Sequence, residues 1–332
     1  MSTMKNYRVK LKKIIESFKG DPPKIFFFRL LRFTFFQLLS LRYKLRKKQL
    51  KKRYLSNPFP IISLGKLKMM VDLNDEGLSF DLLINKKREP FLSAILSKIL
   101  RPGDVVLEIG ANIGYYMLLE SQIIGSQGKI YCLEPVPQNV ALLRKNIQIN
   151  NLTNVEVYQL AAGGVNKTET IFIPSHRNRS SLLPTQDLEC KNKLTIQVTT
   201  MDEFLQDKEK PNFIRMDVEG YELEVLKGME KLLKSSHPLK IAIEVHPILK
   251  SDTEKLFRLM KKNGFRISCV TREPEPEILA APQLCQNIFF WLSRRIDYAP
   301  GYIKLTLEDF LQNRQLMEKG LRKCLEVVFE RP

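Results

Sequence analysis

Histidine is scarce in this chain of 332 residues, with only His176, His237 and His246 present. A metal centre built on imidazoles would consume nearly all of them, so no metal is expected. The five cysteines, Cys132, Cys190, Cys269, Cys285 and Cys324, are odd in number, and no two stand in a CxxC spacing. That argues against a disulfide framework and a structural zinc site, and it fits a reducing compartment. Long apolar runs are also missing. The longest, residues 25–41, is interrupted by Arg29, Arg32 and Gln37, short of the ~20 apolar residues a spanning helix needs. Two arginines inside the run also exclude the core of a signal peptide. A cytoplasmic location is therefore expected, where sequons at Asn151, Asn166 and Asn178 stay unmodified. There is no internal repeat and no low-complexity stretch.

What is present begins with charge. The net charge is +18, but residues 1–53 hold 17 of the 54 basic side chains against only Glu16 and Asp21. The rest of the chain is nearly neutral. A basic arm of this kind seeks an anionic partner, a membrane surface or a nucleic acid. The arm reads as helical, broken at Asp21-Pro22-Pro23 and ended by Asn57-Pro58 and Pro60. The expected organisation is a basic amphipathic helical arm over 1–56, a catalytic domain over 57–299 and a C-terminal helical extension over 300–332.

Within the middle region, apolar runs of strand length alternate with helical patterns. Residues 61–85 read as short strands, with KMMVDL and LSFDLLI flanking the turn at Asn74-Asp75-Glu76-Gly77. A helix follows at 89–100. Strands are expected at 105–110, 129–135, 155–162, 213–217 and 240–246, with helices at 113–124, 137–150, 221–233 and 252–263. The segments 265–271 and 287–293 read as a closing strand pair. Continuous apolar strands alternating with helices specify a mostly parallel α/β sheet with helices on both faces.

Four motifs fall at expected strand ends. Glu108-Ile109-Gly110-Ala111-Asn112-Ile113-Gly114 joins the first strand to a helix. Gly110 and Gly114 permit a tight turn and close backbone approach to a ligand. The GxGxxG of a dinucleotide site is incomplete, with its third glycine missing and Asn112 replacing a glycine. With the acid Glu108 at the strand end, this suits a ligand with a cationic amino-acid part better than a pyrophosphate. Glu134 ends the second strand, where an acid can accept both hydroxyls of a ribose. Asp217-Val218-Glu219-Gly220 ends the fourth strand and Glu244-Val245-His246-Pro247 the fifth. Ligands of open α/β sheets bind beyond these carboxyl ends. A histidine there can take a hydroxyl proton near neutral pH.

Taken together, GDVVLEIGANIGYY, YCLEPVPQNVALLRKNI, IRMDVEGYELEVLKGM and IAIEVHP resemble the FkbM family of S-adenosylmethionine-dependent methyltransferases, over residues 90–293. The resemblance implies a Rossmann-like class I methyltransferase fold with a seven-stranded, mostly parallel sheet. It implies S-adenosylmethionine as cofactor, contacted by Glu108, Gly110, Asn112, Gly114, Glu134 and Ala161. Methylation would fall on a hydroxyl oxygen of a sugar, glycan or other small molecule. Asp217, Glu219 and His246 are the catalytic candidates, with His246 and Asp217 both open as the base. The first acid of the motif is often aspartate in this family, and here it is Glu108.

Other functional classes are compatible with such a sheet. A nicotinamide-dependent oxidoreductase can use a similar sheet, but Glu108 and the missing glycine count against it. The phenylalanines between residues 26 and 36 could stack bases in an RNA methyltransferase, although nucleic acid is not the favoured partner. A nucleoside-binding protein without activity would keep Glu134 and need nothing at 217 or 246. Residues 25–53 are the expected site of peripheral membrane contact. Arg177, Asn178, Arg179, Ser180 and Ser181 lie in the loop expected to help choose the acceptor.

Overall fold

The computed structural model describes residues 22–75, 77–174, 190–246, 250–295, 301–303, 306, 308 and 325–331. The acceptor-loop residues Arg177 to Ser181 and Pro247 lie outside these. The chain divides into two compact units. The first combines Met1–Arg53 with Pro274–Gly301, and the second combines Tyr54–Glu273 with Tyr302–Pro332. Residues 274–299, expected inside the catalytic domain, therefore cluster with the arm.

The chain order opens with α1 (Pro23–Arg53) and the antiparallel hairpin β1 (Ile61–Leu64) and β2 (Leu67–Met70). The second strand expected of the 61–85 region is instead helix α2 (Leu78–Asn85), followed by α3 (Pro90–Ile99). LSFDLLI reads as a strand by its apolar content, yet six of its eight helical residues are buried. Burial on all sides erases the periodicity that separates helix from strand.

The central layer then builds as β3 (Val105–Ile109), α4 (Tyr115–Ile124), β4 (Lys129–Leu133), α5 (Pro137–Ile149) and β5 (Val155–Tyr158). A side sheet follows: β6 (Ala161–Ala162), β7 (Lys167–Pro174) and β8 (Cys190–Thr199), in the order β6-β8-β7. After α6 (Met201–Phe204) come β9 (Phe213–Met216), α7 (Glu222–Lys227), α8 (Glu230–Lys234), β10 (Leu239–Val245), α9 (Lys250–Lys262) and β11 (Arg266–Arg272). The first unit contributes α10 (Pro276–Leu279) and α11 (Gln283–Arg294), before β12 (Gly301–Ile303) and β13 (Leu325–Arg331).

Eight strands form the main sheet in the order β12-β11-β13-β10-β9-β3-β4-β5. From β10 to β5 every pairing is parallel, whereas β13 runs antiparallel between β10 and β11. Two expectations need correction here. Residues 287–293 were expected to close the sheet, but they lie in α11. The closing strand is Leu325–Arg331, in the region expected to be a helical extension. LEVVFER is apolar at Leu325, Val327, Val328 and Phe329, all buried, which is the signature of an interior strand. NIFFWLS instead has Phe289 and Leu292 buried while Ile288 and Trp291 are exposed, a helical spacing.

One sheet face carries Val105, Leu107, Ile109, Ile214, Met216, Ile241 and Ile243, which join Val225, Leu226, Phe257 and Met260 in the main core. The other face carries Val106, Glu108, Arg215 and Ala242 by strand alternation, and α4 packs against β3 and β4. Among the described residues no helix is long and apolar enough to cross a membrane.

Candidate active site

The site lies at the carboxyl ends of β3, β4, β9 and β10. The chain leaves β3 through Gly110, whose φ is +84°. A Cβ on Gly110 would stand 2.0 Å from the Asp217 carbonyl oxygen, so only glycine lets the loops after β3 and β9 close on each other. The Asp217 amide completes the join by donating to the Ile109 carbonyl at 3.1 Å. Asn112 takes φ +51°, and its side-chain oxygen accepts from the Ile113 amide at 2.8 Å. Gly114, at φ +88°, precedes the first turn of α4.

Glu134 follows β4 directly and is buried. Its carboxylate accepts from the Asn112 amide (2.9 Å), the Val136 amide (3.0 Å) and the Asn139 side chain (3.1 Å). Burial pushes its pKa up to about 7, against the pull of these donors. A cleft with about 620 Å³ of open space runs past these residues, lined also by Pro135, Leu160, Ala161, Ile171, Val218 and Tyr221. Apolar walls stand beside Glu134 at the place where a ribose would lie.

Gly110, Asn112, Glu134 and Ala161 therefore line one cleft together with Asp217 and Glu219. Glu108 and Gly114 do not line it. Glu108 is fully buried behind the cleft, on the strand face opposite Ile109, with its Oε2 3.6 Å from Arg215 Nη1. Gly114 acts through backbone conformation, since a Cβ there would meet Leu143 at 2.5 Å.

Arg215 was not singled out from the sequence, although an arginine inside the apolar strand FIRM was the available signal. It lies directly across from Glu108 in the β3–β9 register. Its guanidinium covers the Tyr116 ring at 3.7 Å and approaches Asp217 at 3.3 Å and Glu89 at 4.0 Å. Burial pushes Asp217 up, but Arg215, His246, Arg88 and a hydrogen bond with Glu244 together hold the carboxyl below its usual range. Buried Glu120 and Glu326 and half-buried Glu244, around the same cluster, are pushed well above the usual carboxylate range by desolvation.

Asp217, Glu219 and His246 converge, with candidate ligand atoms all within 4.8 Å of one another. His246 Nδ1 lies 2.7 Å from Glu222 Oε1 and Nε2 lies 3.4 Å from Glu219 Oε2. A carboxylate only accepts, so Nδ1 carries the hydrogen in the neutral ring and Nε2 keeps its lone pair. Glu219 stands at φ +51°, an uncommon conformation that turns the loop towards the histidine. The three groups could hold a proton or, equally by geometry, a divalent cation. A smaller cavity lies beside the first, lined by Leu78, Arg88, Tyr115, Tyr116 and Arg215 and sharing Gly110, Asn112 and Asp217 with it.

This sheet, with its antiparallel strand between the fifth and sixth parallel ones and an acid after the second, defines a Rossmann-like class I methyltransferase fold. The eighth strand, β12, adds to the seven expected. Residues 108–267 match the sequence model of the Methyltransferase FkbM domain. Its cofactor is S-adenosylmethionine. The observed cleft fits such a ligand through Glu134, the loop 110–114 and the apolar wall.

Two curated proteins illustrate the likeness. Hexuronic acid methyltransferase AglP of Haloferax volcanii is 30% identical over 146 residues, covering 43% of this chain and 56% of that protein. Protein-L-isoaspartate O-methyltransferase 1 of Archaeoglobus fulgidus is 24% identical over 132 residues, covering 38% of this chain and 61% of that protein. The chain spans about half the length of these curated relatives. Among solved structures, M. jannaschii TYW2 in complex with AdoMet aligns at a TM-score of 0.40 and 16% identity, covering 83% of this chain and 87% of that one.

Proposed function

We propose that the protein transfers a methyl group from S-adenosylmethionine to a hydroxyl oxygen of a sugar, glycan or other small molecule. The observation that carries this reading is His246, held through Nδ1 by Glu222 with Nε2 3.4 Å from Glu219 and Asp217 close by at the cleft. The likeness to a hexuronic acid methyltransferase supports a sugar-containing acceptor. A nicotinamide-dependent oxidoreductase is set aside by the match to a methyltransferase domain. The free thiols Cys132, Cys269 and Cys285 suit a reducing compartment such as the cytoplasm.

When bound, the cofactor supplies an electrophilic methyl group on a sulfonium. Glu134 holds the ribose, and the loop 110–114 keeps its backbone close to the ligand. The smaller cavity beside Asp217 receives the acceptor. The hydroxyl proton passes to His246 Nε2 as the oxygen–carbon bond forms and the carbon–sulfur bond breaks, so alignment and proton removal are the protein's whole task.

The test is a labelled-methyl assay across uronic-acid sugars, neutral sugars and short RNAs. A sugar hydroxyl is the expected acceptor. His246→Ala and His246→Gln should lower turnover ~10²–10⁴-fold, while calorimetric affinity for S-adenosylhomocysteine is unchanged. Near-normal turnover in both variants would remove His246 from the reaction. Abolition of parent turnover by a chelator would turn the three-residue cluster into a metal site instead.

A further inference from the structure

We propose that the first unit docks the protein on an anionic membrane, through a face of α1 turned away from the one it buries. The buried face is clear. Phe35, Phe36 and Leu39 pack with Ile278, Ala281, Phe289 and Phe290. Arg32 lies over the Phe289 ring at 4.5 Å and donates from Nε to Ser293 at 2.8 Å. A surface helix with one such apolar stripe normally presents polar residues on the other side.

Here the outward side is apolar too. Phe27, Leu31, Leu38, Leu41 and Leu45 are 40–62% exposed. At 100° per residue these five fall within an arc of about 80°, so they form one stripe along the helix. The α11 helix repeats the arrangement: Phe289, Leu292 and Ser293 are buried, while Leu284, Ile288 and Trp291 are 70%, 40% and 49% exposed. Their spacing of four and three residues places them on one side of that helix. The stripes meet where Trp291 packs edge-on to Phe28 at 5.6 Å and Phe28 meets Phe27 at 5.8 Å. Single exposed apolar residues are ordinary, but two joined stripes mark a contact surface.

Charge identifies the occupant. The α1 sequence contains no acidic residue and ends in Lys51, Lys52 and Arg53. Lys24, Arg42, Lys44, Arg46 and Lys48 are all exposed and lie about 60–100° to either side of the apolar stripe. That is where long cationic side chains reach up to lipid headgroups from a helix lying in the interface. A tryptophan on the same surface suits the headgroup level. Nucleic acid would want rings to stack on, and four of the five outward residues of α1 are aliphatic. A second copy of the chain would bring two like-charged clusters together.

Trp291 is the chain's only tryptophan, so its fluorescence reports the contact without any mutation. The experiment mixes the full chain with vesicles of phosphatidylglycerol and phosphatidylcholine in equal parts, and with phosphatidylcholine alone. At low salt the chain should float with the first, and Trp291 emission should shift to shorter wavelength and be quenched by brominated acyl chains. The double variant Leu38→Glu with Leu41→Glu should bind at least ~10-fold more weakly. Neutralising Lys44, Arg46 and Lys48 to glutamine should weaken binding on the order of 100-fold. Both variants should keep the parent's affinity for S-adenosylhomocysteine, which separates this result from any failure of the methyltransferase reading. The inference is overturned if the full chain stays unbound at low salt, or if Trp291 emission does not respond. Equal overturning weight falls on a glutamate variant that floats like the parent, or that changes only self-association in the absence of lipid.

Discussion

Glu134 shows how one buried carboxylate can serve a ligand and work against stability. Its pKa stands at about 7 against an ordinary 4.5, so between these values the folded chain holds a proton that the unfolded chain has lost. Stability attributable to this group therefore falls as pH rises through that window, and it is level above about 7. A ribose reverses the preference, because two hydroxyls donate to the ionised form. We expect the affinity for S-adenosylhomocysteine to drop ~10-fold for each unit of pH below about 7, with protons released on binding in calorimetry. Glu134→Gln should bind ~1–3 kcal/mol more weakly and lose the pH dependence. An unchanged slope in that variant would assign the proton to another group. Gly110, Asn112 and Glu134 were legible in the sequence because turn chemistry and an acid after a strand are local signals. Arg215, Glu89, Tyr116 and Glu222 were not, because their roles arise from register and packing between distant segments.

At the scale of elements, the five parallel strands were readable from continuous apolar runs, and so were most of the helices between them. The failures share a cause. Helix α2 is buried on nearly every side and α11 is rich in aromatics, so apolar content alone suggested strands. Strand β13 lies far along the chain from both its neighbours, and only tertiary pairing selects it. Its Phe329 is fully buried and 5.7 Å from Phe257. Phe329→Ala should cost ~3–5 kcal/mol and lower the thermal midpoint. A variant with an unaltered midpoint would mean that β13 does not hold the sheet together.

Across the whole molecule, the basic arm is more than a tether. Removing residues 1–53 would uncover Ile278 and Phe289, both fully buried in the first unit. A chain beginning near Asn57 should therefore aggregate in light scattering, and Phe289→Ser within that truncated chain should restore solubility. A monodisperse truncated protein without the second change would contradict the packing seen for α1. The insertion of β13 also bears on the order in which the fold is made. Leu239 pairs with Arg331 and Ile267 with Phe329, so β10 and β11 cannot be joined until a segment much later in the chain arrives between them. Pairing at such sequence separation is slow. A nascent chain that has made β11 therefore waits with two interior strand edges open. Pulse-labelled hydrogen exchange during refolding should show amides of β3, β4 and β9 protected first, with those of β10, β11 and β13 gaining protection together in a later phase.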